Sequence, residues 1–180
     1  LPSNMALCAG PKLAYVKLQE RESRTCYYLV KSRVEAHFES GSYEILKEMK
    51  GTDLRGMLYE PLFDFAKHYV DTSGAWAVFV DDYVSDESGT GLVHLACFGE
   101  DDVRIFQREG LPVFDPVDDE GNFKESTDFI AGLNIKDADK PIVQRLKEEG
   151  KMFRHETVQH SYPFCWRTDT PLIYKPISTW

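Results

Sequence analysis

Hydrophobic positions along this chain fall into short blocks with two different spacings. Residues 13–18 (Leu-Ala-Tyr-Val-Lys-Leu) and 25–30 (Thr-Cys-Tyr-Tyr-Leu-Val) are compact, partly aromatic or β-branched, and separated by the charged stretch 19–24, which predicts a strand hairpin. Residues 31–38 scatter Val34, Ala36 and Phe38 among charges and predict one or two helical turns. Residues 43–49 leave two readings open: Tyr43, Ile45 and Met49 keep a period of two, whereas Leu46 fits a helix. Two continuous apolar runs, 76–80 and 91–96, have the pattern of strands covered on both faces.

Helical spacing is plainer in two places. Residues 101–109 start with two acids, carry Val103, Ile105 and Phe106, and stop at Gly110. Residues 140–149 follow Asp139 as N-cap, hold Pro141 in the first turn, align Ile142, Val143 and Leu146, and stop at Gly150. Between them, 111–122 is a long loop of prolines, acids and Gly121, the kind of segment that often carries function. Short strands with few helices predict a β-rich α+β fold, a distorted β-barrel with a few peripheral helices, in one domain over 1–180.

Composition narrows the functional classes. A 42% hydrophobic and 13% aromatic chain has the material for a core, and no apolar run is long enough to span a membrane. The first 30 residues lack a secretory signal pattern, so a cytoplasmic protein, monomeric and away from membranes, is expected. The four cysteines are scattered and read as reduced thiols. Thirty acidic against 21 basic residues, a net charge of −9, argue against a surface for duplex nucleic acid. A local pocket for a single-stranded RNA end remains compatible, because stacking and hydrogen bonding dominate there. The start at Leu1 and the apolar stretch before Trp180 suggest a segment of a longer polypeptide, with 1–4 and 162–180 as connecting segments.

Candidate chemistry gathers around residues 89–102. His94 ends an apolar run and is either a core histidine bonded to a carbonyl or a ligand-facing imidazole. Glycines 89, 91 and 99 permit close backbone approach beside it. Asp101 and Asp102 open the following helix, where an acid complements the dipole. Successive helical positions differ by about 100°, so one of the two carboxylates should face inward and require a cation, such as an α-ammonium. Asn4 alone is ordinary turn chemistry. His155, His160 and Cys165 match no zinc spacing, and no catalytic triad or phosphate-binding glycine loop is present.

These residues carry a resemblance. Leu1-Pro2-Ser3-Asn4, Gly89-Thr90-Gly91-Leu92-Val93-His94, Phe98-Gly99-Glu100-Asp101-Asp102, Pro116-Val117-Asp118-Asp119-Glu120-Gly121-Asn122-Phe123 and Tyr162-Pro163-Phe164-Cys165-Trp166-Arg167 are similar, in order, to motifs of the editing insertion of isoleucyl-tRNA synthetases. The resemblance implies a β-barrel inserted into the synthetase's catalytic domain. That insertion hydrolyses valine from tRNA(Ile) and contributes to clearing valyl-adenylate, with the tRNA 3′ end as partner. It implies no cofactor here, ATP and magnesium belonging to the ligase centre outside this chain.

The same resemblance implies the residue roles. Asp102 would bind the α-ammonium; His94 would limit side-chain size and contact the terminal ribose; Asn4 would lie near the ester and attacking water. Asp101, Gly91 and Val93 would border the substrate, and Pro116, Val117 and Asp118 would help receive the terminal adenosine. Two departures stand out: Ala96-Cys97 leads straight into Phe98, one residue shorter than the family pattern, and no threonine-rich stretch precedes Leu1. Both leave open a binding-only β-barrel module that holds the aminoacylated end without cleaving it.

Overall fold

The computed structural model describes residues 1–155, 163–167 and 172. Its strands are β1 Ala6–Ala9, β2 Ala14–Glu20, β3 Cys26–Val30, β4 Tyr43–Lys50, β5 Val78–Val80 and β6 Leu92–Leu95. Its α-helices are α1 Val34–His37, α2 Glu100–Glu109 and α3 Asp139–Glu148, with short 3-10 turns between. The class is the expected strand-rich α+β. Among the described residues, however, the strands form two open three-stranded sheets, ordered β5-β1-β6 and β3-β2-β4, rather than a closed barrel. At the seam between β3 and the start of β6 one backbone bond crosses, Val30 N–H to the Thr90 carbonyl at 2.8 Å. Gly89 and Gly91 both take positive φ there (62° and 72°), which breaks the extended backbone that a continuing ladder needs.

The predicted hairpin is β2–β3. The ambiguous stretch 43–49 is strand β4, and its ambiguity has a structural cause. Leu18 pairs with Ile45 and Lys17 with Lys47, so Leu46 is the extra residue of a β-bulge. A bulge interrupts the two-residue period at that position and leaves Leu46 exposed. The run 76–80 contributes strand only from Val78, because Trp76 adopts a φ of 54°. Helix α2 ends at Gly110 in the left-handed conformation, as its position predicts. Helix α3 begins at Asp139 with Ala138 before it, one residue earlier than expected.

Strand β1 was not anticipated, and it is the centre of its sheet, parallel to β5 and antiparallel to β6. Residues 2–4, expected as a connecting segment, are buried beside it. Tyr15 joins the two sheets: its fully buried hydroxyl accepts from Gly10 N–H at 2.9 Å and donates to the Gly91 carbonyl at 2.5 Å. Ile105 and Phe106 of α2 pack on Cys8, Leu95 and Val84, forming the core over the β1 sheet. Ile142 and Leu146 of α3 close a second core with Val117, Phe123 and Ile130.

Candidate functional site

Strand β6 and helix α2 deliver the central residues through a four-residue turn, 96–99. His94 lies opposite Leu7 of β1, and strand alternation sets it on the other face from Val93 and Leu95. Those two join the core under α2, so Val93 is a packing residue in this structure. The His94 ring is solvent-accessible yet densely surrounded. Desolvation by that surrounding, with the Leu1 α-ammonium adding to it, holds its pKa down to about 4. The direction is what bears on chemistry: at neutral pH the imidazole is uncharged and can accept a hydrogen bond.

Asp101 and Asp102 diverge as helical geometry requires. Asp101 faces solvent and pairs with Arg104 at 2.8 Å. Asp102 turns back toward the end of β6, where its Oδ2 accepts the Ala96 N–H at 3.2 Å. No cation pairs with Asp102 among the described residues. Burial pushes its carboxyl above the ordinary 3.8, the Ala96 bond opposes that, and Asp101 adds to it. A half-buried carboxylate without a counter-ion is thus held one residue beyond the strand that carries His94.

What holds α2 in place was invisible in the sequence. Asp81, just beyond β5, is 9% exposed and accepts from both Arg104 (2.8 Å to each oxygen) and Arg108 (2.7 Å). Arg108 also reaches the Val80 carbonyl, and Glu109 bonds both Arg108 and Arg55. The arginine hydrogen bonds, led by Arg104, hold the Asp81 carboxyl far below its usual range. The partners are 23 and 27 residues apart, so no local pattern announces them.

The remaining predicted residues are placed as follows. Asn4 is buried with its amide engaged: Nδ2 donates to the Ala6 carbonyl at 2.6 Å, and Oδ1 accepts the Tyr59 hydroxyl at 2.6 Å. Gly91 makes its close approach to protein, since a Cβ there would lie 2.6 Å from Val30 Cβ. Pro116 and Val117 are buried, Val117 inside the second core. Asp118 shapes its loop by accepting Glu120 and Asn122 N–H at 3.0 and 2.8 Å. Its loop also lines a cleft of about 840 Å³ together with Tyr69 and Val70. Cys97, in the turn between β6 and α2, donates its thiol to the Phe114 carbonyl at 3.2 Å, and Phe114 is part of that cleft. The structure therefore sets Asp102 against the turn that follows the strand of His94, and Cys97 of that turn against the 113–126 cleft, while Gly91 and Val93 serve mainly packing.

Among the described residues no cluster of three metal-ligating side chains occurs, and His160 lies outside them. No helix there is long and apolar enough to cross a membrane.

Comparison with known proteins follows the same residues. The whole chain aligns with isoleucine–tRNA ligase of Bdellovibrio bacteriovorus at 43% identity over 183 residues, which is 17% of that protein. It aligns with the cytoplasmic isoleucine–tRNA ligase of Mus musculus at 45% over 188 residues, 15% of that protein. A solved leucyl-type synthetase domain, GlLeuRS-CP1, superposes with a TM-score of 0.63 at 13% identity, covering 88% of this chain and 80% of that one. The chain belongs to the isoleucyl-tRNA synthetase family, and its fold is that of the solved first connective-peptide (CP1) domain. No protein-family model matches the chain. The chain spans about a sixth of these relatives' length.

Proposed function

We propose that this CP1 domain edits misacylated tRNA(Ile), hydrolysing the valyl ester by attack of water, in the cytoplasm and without a cofactor of its own. The observation that carries the reading is Asp102: a half-buried carboxylate with no cation among the described residues, fixed by Ala96 beside the strand of His94. A buried carboxylate calls for a positive partner, and the α-ammonium of an aminoacyl ester is one of fitting size and charge. The neutral His94 ring then borders the side chain and accepts a hydrogen bond from the ribose hydroxyl. Water adds to the ester carbonyl and the ribose oxygen leaves with a proton. Aminoacyl esters are reactive enough that positioning supplies much of the rate. Valine and isoleucine differ by a methylene, worth about 1–3 kcal/mol in a pocket, so exclusion of the larger residue by size is the effective filter.

A binding-only module is the second reading, and one observation favours it: Asn4 is buried, with both donors of its amide turned to the Ala6 and Leu95 carbonyls and its oxygen accepting from Tyr59, a bonding pattern turned into the fold rather than toward a water. Hydrolysis of Val-tRNA(Ile) and Ile-tRNA(Ile), measured with wild type and Asp102→Ala, separates the two. Editing requires valine-selective loss that collapses in the variant. Retained tRNA-end binding with no valine-selective hydrolysis in wild type establishes the module.

A further inference from the structure

Trp76 is a bulky aromatic residue held at a φ of 54°, a backbone conformation that is strained for a side chain of its size. Three bonds keep it there. Its N–H donates to the Met5 carbonyl at 2.7 Å, its carbonyl accepts the Tyr59 N–H at 2.9 Å, and its indole N–H donates to the Asn4 carbonyl at 3.3 Å. An antiparallel bridge between Leu58 and Ala77 joins the same two segments, and the Lys67 ammonium lies 5.4 Å from the centre of the indole ring. Strain persists only where its surroundings over-determine it, and here those surroundings converge on Asn4 and Met5.

Asn4 can take only one amide orientation. Its Nδ2 faces the carbonyls of Ala6 (2.6 Å) and Leu95 (3.5 Å), which only accept, so Oδ1 faces the Tyr59 hydroxyl at 2.6 Å. Burial pushes the Tyr59 phenol above its ordinary range, so the hydroxyl stays a donor. The Met5 N–H reaches the same Leu95 carbonyl at 3.0 Å. Asn4 and Met5 therefore grip the residue after His94, next to the Ala96 whose N–H holds Asp102.

We propose that Tyr59 and Trp76 are positioning residues that act through Asn4, fixing the end of β6 on which His94 stands and so deciding how sharply the site tells valine from isoleucine. The proposal rests on the editing reading for its substrate. A filter that works by size needs a wall that stays still, because a wall that yields by the width of a methylene admits the larger side chain. Without the Tyr59 hydroxyl, Asn4 Oδ1 loses its donor, the amide is free to turn, and the grip on Leu95 loosens.

The test is hydrolysis of Val-tRNA(Ile) and Ile-tRNA(Ile) by the 180-residue chain as wild type, Tyr59→Phe, Asn4→Ala and the double variant, with urea unfolding of each. Tyr59→Phe should lower the valine-over-isoleucine ratio of kcat/KM about threefold to tenfold, the scale of one neutral hydrogen bond, with the KM for Val-tRNA(Ile) unchanged. Trp76→Phe, which keeps a ring and loses the indole donor, should lower the ratio less. In the Asn4→Ala background Tyr59→Phe should change the ratio no further, the non-additivity of residues that act as one. A tyrosine with a merely structural role would cost urea stability and slow both substrates equally. That result, or a Tyr59→Phe effect that adds fully to Asn4→Ala, overturns the proposal. If wild type shows no valine-selective hydrolysis, the editing reading falls and the brace is read by NMR instead. Tyr59→Phe should then move the His94 ring signals and the Leu95 and Ala96 amide signals while leaving the β4 amides in place. Unmoved signals at residues 94–96 overturn the brace as well.

Discussion

Helix α2 is flanked by two carboxylates in environments of opposite design, Asp81 beyond β5 and its own Asp102. Along its exposed flank, Asp81 is saturated by Arg104 and Arg108 and its pKa lies far below the ordinary value. At its first turn, Asp102 has one backbone donor, no counter-ion among the described residues, and a pKa above the ordinary value. The first arrangement is complete and stabilises the fold, while the second is incomplete and costs stability, as the proposed binding role of Asp102 requires. That difference separates a structural ion network from a binding site better than charge or burial alone.

Removing Asp102 should have the largest effect, and only on function. Asp102→Ala should lower Val-tRNA(Ile) deacylation by about a hundredfold or more, the scale of a lost buried charge pair. Urea unfolding of the same variant should show no loss of stability. Asp81→Ala should do the opposite, costing about 2 kcal/mol in the urea midpoint, at the low end for a broken ion network because both arginines are about half exposed. If Asp81→Ala alone matched Asp102→Ala in deacylation with unchanged stability, the contrast would fail. Tyr15→Phe should cost about 1 kcal/mol, since Gly10 N–H and the Gly91 carbonyl lose their shared partner.

The smallest effect is the most diagnostic. A carboxyl whose folded pKa is raised binds its proton more tightly in the native state. Stability therefore falls as pH rises from 3.8 through the raised value. Asp102→Asn should remove that loss, and at pH 7 the chain without ligand should be slightly more stable than wild type in urea unfolding. Asp81 has the reverse sign: its contribution is present above its unfolded pKa and is lost as pH falls through the depressed folded value. Acid titration of Asp81→Asn should accordingly show a flatter stability profile below pH 4 than wild type.

Local pattern made much of the fold legible. The β2–β3 hairpin, both longer helices, the Gly110 stop and the loop between the helices follow from spacing and terminal residues. Strand β1 did not, because a four-residue run of Ala, Leu and Cys has little strand preference and its partners lie at Leu7–Val78 and Leu7–His94. Of the site, the sequence located His94 and showed that only one of Asp101 and Asp102 could face inward. It did not show that Asn4 spends its amide on Ala6 and Tyr59, or that Gly91 packs against Val30.

Sequence by itself determined the periodic elements, the acidic balance and the family motifs, because these depend on neighbours within a turn or a strand and on residue chemistry. Only the tertiary structure decided, among the described residues, which of the two helix-opening acids is left without a counter-ion and that the two sheets stay open. It also joined the Tyr69 cleft to the turn after His94. The contacts behind these outcomes, such as Cys97 to Phe114 and Arg104 to Asp81, join segments 17 and 23 residues apart, and contacts of that span are set by packing rather than by local preference.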